Sequence, residues 1–328
     1  MQKTLSVIDL SAIRNNAKRI RQLSEGKLFY AVVKADAYGH GAAEVAEEIE
    51  DIADGFCVAI VDEGAELRNS GITKPILVLA PPLDFEDVER ARFYDLTLSV
   101  GDMDSARLAK GCRVHIAVNT GMNRYGCTLS QLAEIVRAVG KENVYGVYSH
   151  LYAAEDDAAS ARQLEIFKRA EELVKRFQPE ATAHLSASGG LLRGGDFLCD
   201  GVRAGIMLYG YAPKGFKCTG LKKALKVYAR LAQKVDFIGG GVGYNRAERR
   251  YKKLYTYRLG YADGFSRTVP LGEKTLCMDA FIGCGALDYM PVMTDADEYA
   301  ARCGTISYEV LCSVTRRSLR IYERTAEI

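Results

Sequence analysis

The lysine in the segment AVVKADAYGHG, residues 31–41, is the first side chain whose position suggests chemistry. Lys34 stands at the end of a very apolar run that predicts a β-strand. In a parallel α/β barrel, the carboxyl end of each strand lies at the active-site mouth. A partly desolvated lysine there has a lowered pKa, and its amine can form a Schiff base with a carbonyl compound. The alternative is a lysine that extends from the strand end into solvent.

The pattern SASGG at residues 186–190 is a candidate phosphate-binding turn. Ser188 and Gly189 follow the seventh predicted strand, and Gly205 and Ile206 lie in the region of the eighth. Barrels commonly bind phosphate through the loops after these two strands, using backbone amides and a helix N-terminus. An ordinary flexible turn would explain the same glycines.

These positions require a barrel, which the alternation of short apolar strands with helical segments predicts. The strands are expected at residues 28–34, 56–60, 75–79, 96–100, 113–118, 144–150, 183–187 and 202–208. Eight such units in about 210 residues fit a closed (β/α)8 barrel, the TIM-type α/β fold. An open doubly wound sheet is less suitable, because no G-x-G-x-x-G follows the first strand.

The sequence changes character after Cys218, where alternating, β-rich segments are separated by glycine clusters. We therefore predict an N-terminal barrel over residues 1–218 and a smaller, mostly β domain over residues 219–328.

Composition excludes several classes of function. The chain has 328 residues and a net charge of +2, so it offers no electrostatic reason to bind nucleic acid or an anionic membrane. Nine cysteines without a C-x-x-C pair argue against a disulfide framework and against a zinc site. The N-terminus lacks the features of a signal peptide, and no apolar run is long enough to span a bilayer. We expect a cytoplasmic protein without a metal site.

The lysine segment resembles that of bacterial alanine racemases, and further matches to this family follow in the same order along almost the whole chain. They are VNTGMNRYG (118–126), YSHLYAAED (148–156), SASGG (186–190), VRAGIMLYG (202–210), VGYNR (242–246), LGYADG (259–264), CMD (277–279) and ISYEVLC (306–312). The chain is thereby identified as a member of the fold-type III racemases, which depend on pyridoxal 5'-phosphate (PLP). The fold of that family, an N-terminal (β/α)8 barrel with a C-terminal β domain, agrees with the prediction above.

The resemblance implies how the central residues act on an amino-acid substrate. Lys34 binds PLP covalently, and Lys34 and Tyr244 are the two bases that serve opposite faces of the substrate. His150 and Arg203 support Tyr244, and Arg203 also faces the pyridine nitrogen. From the residues alone, an ion pair of Arg203 with Asp200 or Asp196 is an alternative.

Other matching positions are expected to bind the cofactor or the substrate. The phosphate is assigned to the cofactor-binding positions Tyr38, Ser188, Gly205, Ile206 and Tyr308. The substrate is assigned to Arg124, the backbone amide of Met278, and Tyr261. Tyr244, Tyr261 and Met278 reach the site from a second subunit in this family. The resemblance therefore implies a head-to-tail homodimer with composite active sites.

Some positions depart from the family pattern. Many members have a lysine that orients the arginine matching Arg124, and this chain has Ala117 there; Asn119 replaces a common aspartate, and Ala187 replaces an asparagine.

The expected reaction is interconversion of L- and D-alanine, with D-alanine supply for the cell wall as its role. Serine or broad-specificity racemisation is the alternative, because some motifs also resemble serine racemase domains of the vancomycin-resistance type. A more distant alternative is a non-catalytic PLP-binding protein.

Overall fold

The computed structural model describes residues 4–247, 249–267, 275–283 and 285–325. Contacts group these residues into two compact units. One unit contains residues 13–37 and 42–222, and the other contains residues 4–12, 38–41 and the described residues from 223 onward. We refer to them as the barrel unit and the C-terminal unit.

The chain opens with β1 (Thr4–Asp9) and α1 (Leu10–Leu23) and then forms eight parallel strands. These are β2 (Leu28–Val32), β3 (Gly55–Val58), β4 (Ile76–Val78), β5 (Leu98–Val100), β6 (Val114–Ala117), β7 (Val144–Tyr148), β8 (Thr182–His184) and β9 (Gly201–Ala204). Two four-stranded sheets, β4-β3-β2-β9 and β5-β6-β7-β8, are joined by the parallel bridges Leu77–Thr97 and Ala187–Arg203. The ring is closed, which confirms the predicted (β/α)8 barrel.

Helices follow the barrel strands in sequence. They are α2 (Lys34–Tyr38), α3 (Ala42–Ile49), α4 (Val61–Asn69), α5 (Phe85–Phe93), α6 (Met103–Leu108), α7 (Leu132–Val139), α8 (Asp157–Phe177) and α9 (Ser188–Arg193). Aspartates cap three of them: Asp84, Asp102 and Asp156 accept from backbone amides in the first turns of α5, α6 and α8. A cap of this kind stabilises a helix by about 1 kcal/mol.

The C-terminal unit is built mainly from antiparallel strands. They are β10 (Leu225–Asp236), β11 (Gly241–Val242), β12 (Asn245–Arg246), β13 (Lys253–Tyr257), β14 (Thr275–Leu276), β15 (Phe281–Gly283), β16 (Tyr289–Met293) and β17 (Leu319–Glu323). The helices α10 (Ala296–Cys303) and α11 (Ser307–Val314) complete it. The larger sheet has the order β14-β15-β13-β10-β1-β17, with β16 also paired to β10.

The N-terminal strand belongs to this second sheet. β1 pairs antiparallel with β10 and parallel with β17. The grouping therefore differs from the sequence-based division at residues 218 and 219, which placed the segments 4–12 and 38–41 with the barrel. Within the described ranges, no helix is long and apolar enough to cross a membrane.

Candidate active site

Lys34 begins a left-handed turn that immediately follows a barrel strand. The strand β2 ends at Val32, two residues earlier than predicted, and Lys34 is half-buried. The next residues, Ala35, Asp36 and Ala37, have φ near 52° and ψ near 48°, and Tyr38 also has a φ of 52°. This conformation costs non-glycine residues about 1–2 kcal/mol each. Such strain persists only where the surroundings enforce it, and it is common at active sites.

Arg203, the third residue of β9, is buried in the barrel with a relative exposure of 3%. One of its terminal nitrogens donates to Nδ1 and to the carbonyl oxygen of His184, at 2.6 Å each. The other donates to the carbonyl oxygens of Ser149 (2.5 Å) and Leu185 (3.2 Å). The guanidinium carbon lies 5.1 Å from the centre of the Tyr148 ring, which adds a cation–π contact.

The suggested ion pair between Arg203 and Asp200 or Asp196 is wrong for the described part of the chain. Asp200 binds Lys175 at 2.7 Å instead, and Arg203 has carbonyl and imidazole partners. The positive charge of Arg203 is therefore stabilised by dipoles and a ring face.

A chain of hydrogen bonds extends from Arg203 into the barrel through two buried histidines. Because a guanidinium only donates, Nδ1 of His184 must accept, and the proton of that ring lies on Nε2. Nε2 of His184 then donates to Nδ1 of His115 at 2.7 Å. Burial, followed by the charge of Arg203, lowers the pKa of His115 to about 3 and that of His184 well below its usual range. Both rings are neutral at pH 7, with their tautomers fixed by this direction of donation.

His150 lies just beyond the end of β7 and is half-buried. Desolvation is the largest cause that lowers its pKa to about 3, and the positive charges of Arg203, Arg124 and Lys34 act in the same direction. His150 is therefore neutral at pH 7. The three cations that affect it lie on different barrel segments, so the mouth of the barrel brings four of the predicted site residues into one electrostatic neighbourhood.

The loop that carries Arg124 is organised by Asn119. The side-chain oxygen Oδ1 of Asn119 accepts from the backbone amides of Gly121 (3.0 Å) and Asn123 (3.1 Å), and its side-chain nitrogen donates to the side chain of Asn123 at 2.9 Å. Asn119 thus shapes the backbone before Arg124. The exposed guanidinium of Arg124 lies over the ring of Tyr125, 5.9 Å from its centre.

A cavity of about 400 Å³ opens beside Ala117, the position where many relatives have a lysine. Arg124 and Asn119 line it on one side, and Asp102 and Tyr148 are also part of its wall. The small alanine therefore leaves space next to the arginine loop.

The predicted phosphate residues lie where two helical turns begin. α9 begins at Ser188 after β8, and a 3₁₀ turn, Ile206–Tyr209, begins after β9. Ala187 and Gly205, which precede these turns, provide no side-chain cap to either. The Ser188 hydroxyl accepts from the backbone amide of Gly205 at 3.2 Å and so joins the two turns. Uncapped amides at two neighbouring helical starts can bind an anion.

Gln163 on α8 connects two of the predicted site segments, and sequence reasoning did not identify it. Its amide nitrogen donates to the carbonyl oxygen of His150 and to the hydroxyl of Thr120, at 2.9 Å each. Its oxygen accepts from the amide of Tyr152 at 3.1 Å. Burial to 2% exposure makes these three bonds strong constraints on the histidine and arginine loops.

The C-terminal unit contains the remaining candidates. Tyr38 and Tyr308 lie together, with ring centres 5.8 Å apart, and burial raises the pKa of Tyr308 to about 12. Tyr261 and Met278 also lie on adjacent segments. The amide of Tyr261 donates to the carbonyl oxygen of Cys277, and that of Ala262 donates to Met278, at 3.0 Å each.

Tyr244 is different from these, because it is 80% exposed. It occupies the turn of the β11–β12 hairpin, directly after Gly243 with a φ of 59°. Tyr261 and Met278 are also partly exposed, at 37% and 54%.

The closed barrel thus brings Lys34, Arg124, His150 and Arg203 together at its mouth. The model of the alanine racemase N-terminal domain matches residues 8–213. The alanine racemase of Streptococcus equi subsp. equi is 34% identical to this chain, and the match covers 97% of this chain and 98% of that protein. The chain belongs to the alanine racemase family, and it is an enzyme of the isomerase class.

Solved structures agree with this assignment. The alanine racemase of Bacillus anthracis with bound L-Ala-P has a TM-score of 0.88 and 28% identity, covering 100% of this chain and 96% of that one. The alanine racemase of Bartonella henselae with covalently bound pyridoxal phosphate has a TM-score of 0.83 and 25% identity, covering 98% and 100%.

Proposed function

We propose that this protein interconverts L- and D-alanine with PLP bound covalently to Lys34. The observation that carries the proposal is that Lys34, Arg124 and Arg203 all lie near His150. Their positive charges each help to lower the pKa of this histidine. The names of the relatives and the ligand of the Bartonella henselae structure support the substrate and the cofactor.

The donors at the barrel mouth fit this cofactor. Four N–H groups of Arg203 bind His184, Ser149 and Leu185, and its Nε–H has no partner among the described residues. One donor is therefore available that could bind the pyridine nitrogen of the cofactor, and it does not give up its proton. The amides at Ser188, Gly205 and Ile206 would bind the phosphate, together with the hydroxyls of the tyrosine pair Tyr38 and Tyr308. Bound PLP supplies an electron sink for the charge left when the α-proton departs.

Two bases then move the α-proton, one on each face of the substrate. The amine of Lys34 is one, and the phenol oxygen of Tyr244 is the other. A phenol with an ordinary pKa of about 10 is a weak base at neutral pH and needs a partner. The neutral ring of His150 can accept a hydrogen bond from that phenol and so hold its oxygen in place. Arg124 and the Met278 amide would bind the substrate carboxylate, and Tyr261 would narrow the entrance.

The second base would come from another subunit. Tyr244 and Met278 are largely exposed within one chain, although their proposed roles require a site closed to water. A head-to-tail homodimer would place them over the barrel mouth of the partner and form two composite sites.

The test is to supply the purified protein and PLP with L-alanine, D-alanine and L-serine separately, and to follow both enantiomers by chiral chromatography. Rapid interconversion of alanine with slower turnover of serine is expected. Equal or faster turnover of serine would instead assign the protein to the serine or broad-specificity group. Absence of turnover, although borohydride traps PLP on Lys34, would contradict racemase activity and favour a non-catalytic PLP-binding protein.

We further propose that the protein works in the cytoplasm and supplies D-alanine for cell-wall synthesis. The relatives named alanine racemase support the activity from which this role would follow. Expression in a bacterium that requires external D-alanine should restore growth without it, and a Lys34→Ala variant should not.

A further inference from the structure

The carboxylate of Glu63 connects the lysine turn to the neighbouring strand of the barrel. One oxygen accepts from the amide of Ala35, the residue after Lys34, at 2.8 Å. The other oxygen accepts from the amide of Ala59, just beyond the end of β3, at 2.6 Å. A single half-buried side chain thus bonds the backbone at the ends of two adjacent strands.

Only one of these bonds is explained by the helix to which Glu63 belongs. Glu63 lies in the first turn of α4, where glutamate often bonds the backbone just before its own helix, as it does at Ala59. Ala35 is 28 residues away along the chain, so its bond to Glu63 contributes nothing to α4. It contributes to the left-handed turn, whose strained backbone needs external contacts to remain in place.

Other hydrogen bonds connect the turn to residues close to it in sequence. The amide of Ala37 donates to the carbonyl oxygen of Val33 at 2.8 Å, and the side chain of Asp36 accepts from the amide of Ala42 at 2.8 Å. Both join the turn to residues next to it in sequence. The bond from Ala35 to Glu63 differs from these two, because it connects the turn to the segment that follows β3.

We propose that Glu63 is a positioning residue, which holds the turn after Lys34 against β3 and so sets the place from which the Lys34 amine acts. This rests on the proposed function of Lys34, whereas the contact of Glu63 with the turn does not. A carboxylate can accept from both amides. The side-chain nitrogen of a glutamine would face one of these amides and lose that bond, and an aspartate is too short to reach both.

The experiment compares Glu63→Gln and Glu63→Asp with Glu66→Gln, a control on the exposed side of the same helix. Three properties are measured in the PLP-loaded protein: hydrogen exchange of the peptide covering residues 33–42, the kinetic constants kcat and KM for alanine, and the melting temperature. For both Glu63 variants we expect exchange at least about tenfold faster and a kcat lowered about tenfold or more, with KM within about twofold. The control should match the wild type in exchange and in both kinetic constants.

A role confined to capping α4 would lower the melting temperature without changing kcat, and that result would overturn the proposal. An equal loss of kcat in Glu66→Gln would overturn it as well. Should Glu63→Gln fail to fold, Glu63→Asp, which keeps the charge and one bond, decides by the same criteria. If the wild-type protein does not racemise alanine, the proposed function fails, and unchanged exchange in the variants would separately overturn the contact of Glu63 with the turn.

Discussion

The barrel unit and the C-terminal unit hold their candidate residues in opposite ways. In the barrel, Arg203 is 3% exposed and four of its N–H groups are bound. His184 and His115 extend this network, and Gln163 fixes the adjoining loops. In the C-terminal unit, Tyr244 is 80% exposed at the turn of a two-stranded hairpin.

This difference indicates which residues of the proposed site are already held in place within a single chain. A buried, hydrogen-bonded network is organised before any ligand arrives, which is what an electrostatically active site needs. Tyr244 and Met278, which lie on a short hairpin and a turn, are exposed and have no such network among the described residues of their own unit. We infer that their support comes from a second copy of the chain.

The largest expected effect comes from removing either proposed base. Lys34→Ala and Tyr244→Phe should each lower the rate of racemisation by about 10²–10⁴-fold, the usual contribution of a positioned base. Tyr244→Phe should still exchange the α-proton of one alanine enantiomer with deuterium from solvent, because the opposite base remains. Full activity in both variants would show that the two regions do not share the chemistry.

Stability should separate the two regions next. Arg203→Met leaves buried carbonyl groups unpaired, so we expect the free energy of unfolding to fall by about 2–4 kcal/mol. Tyr244→Phe removes one exposed hydroxyl and should change it by less than about 0.5 kcal/mol. Urea denaturation at one protein concentration measures both. Equal losses of stability in the two variants would contradict the contrast between the barrel unit and the C-terminal unit.

The buried histidines should make the barrel sensitive to acid. The pKa of His115 is lowered to about 3 in the folded state, so below the unfolded value of about 6.5 the unfolded chain binds one more proton. Stability is present above pH 6.5 and is lost as the pH falls toward 3. Between pH 7.5 and pH 5 this histidine should cost about 2 kcal/mol. The variant His115→Gln should lose correspondingly less over the same range, and an unchanged pH dependence would contradict a neutral, buried ring.

The smallest effect concerns the arginine loop. Asn119→Ala removes the acceptor for the amides of Gly121 and Asn123. The conformation of the arginine loop should thereby lose about 1 kcal/mol of stabilising free energy. We expect the KM for alanine to rise about fivefold with kcat nearly unchanged. Asn143→Ala, whose side chain bonds Val139 elsewhere in the barrel unit, is the matched control. A loss of kcat alone would mean that Asn119 acts on the chemistry.

Much of the barrel was predictable because its strands are buried and its caps are local. All eight predicted strands are present, since runs such as FCVAI and RVHIAV have few other ways to bury their side chains. Most of their ends were placed too late, as at Lys34 and His150, because the chain leaves the ring to form the turns that carry these residues.

Long-range pairings and buried polar contacts were not predictable. The place of β1 beside β10 and β17 depends on segments more than two hundred residues apart. His115, His184, Gln163 and Glu63 did not stand out individually in the sequence. For His115 and His184, the available signal was a histidine within a predicted buried strand, because a buried polar group needs a hydrogen-bond partner.

The most direct test of the central claim uses two inactive variants in one dimer. Lys34→Ala and Tyr244→Phe chains with different affinity tags are expressed together, and the mixed dimer is purified. If each site takes Lys34 from one chain and Tyr244 from the other, one site of the two is intact, and about half of the wild-type activity should return. A mixed dimer no more active than its parents would contradict the account, because both bases would then belong to the same chain.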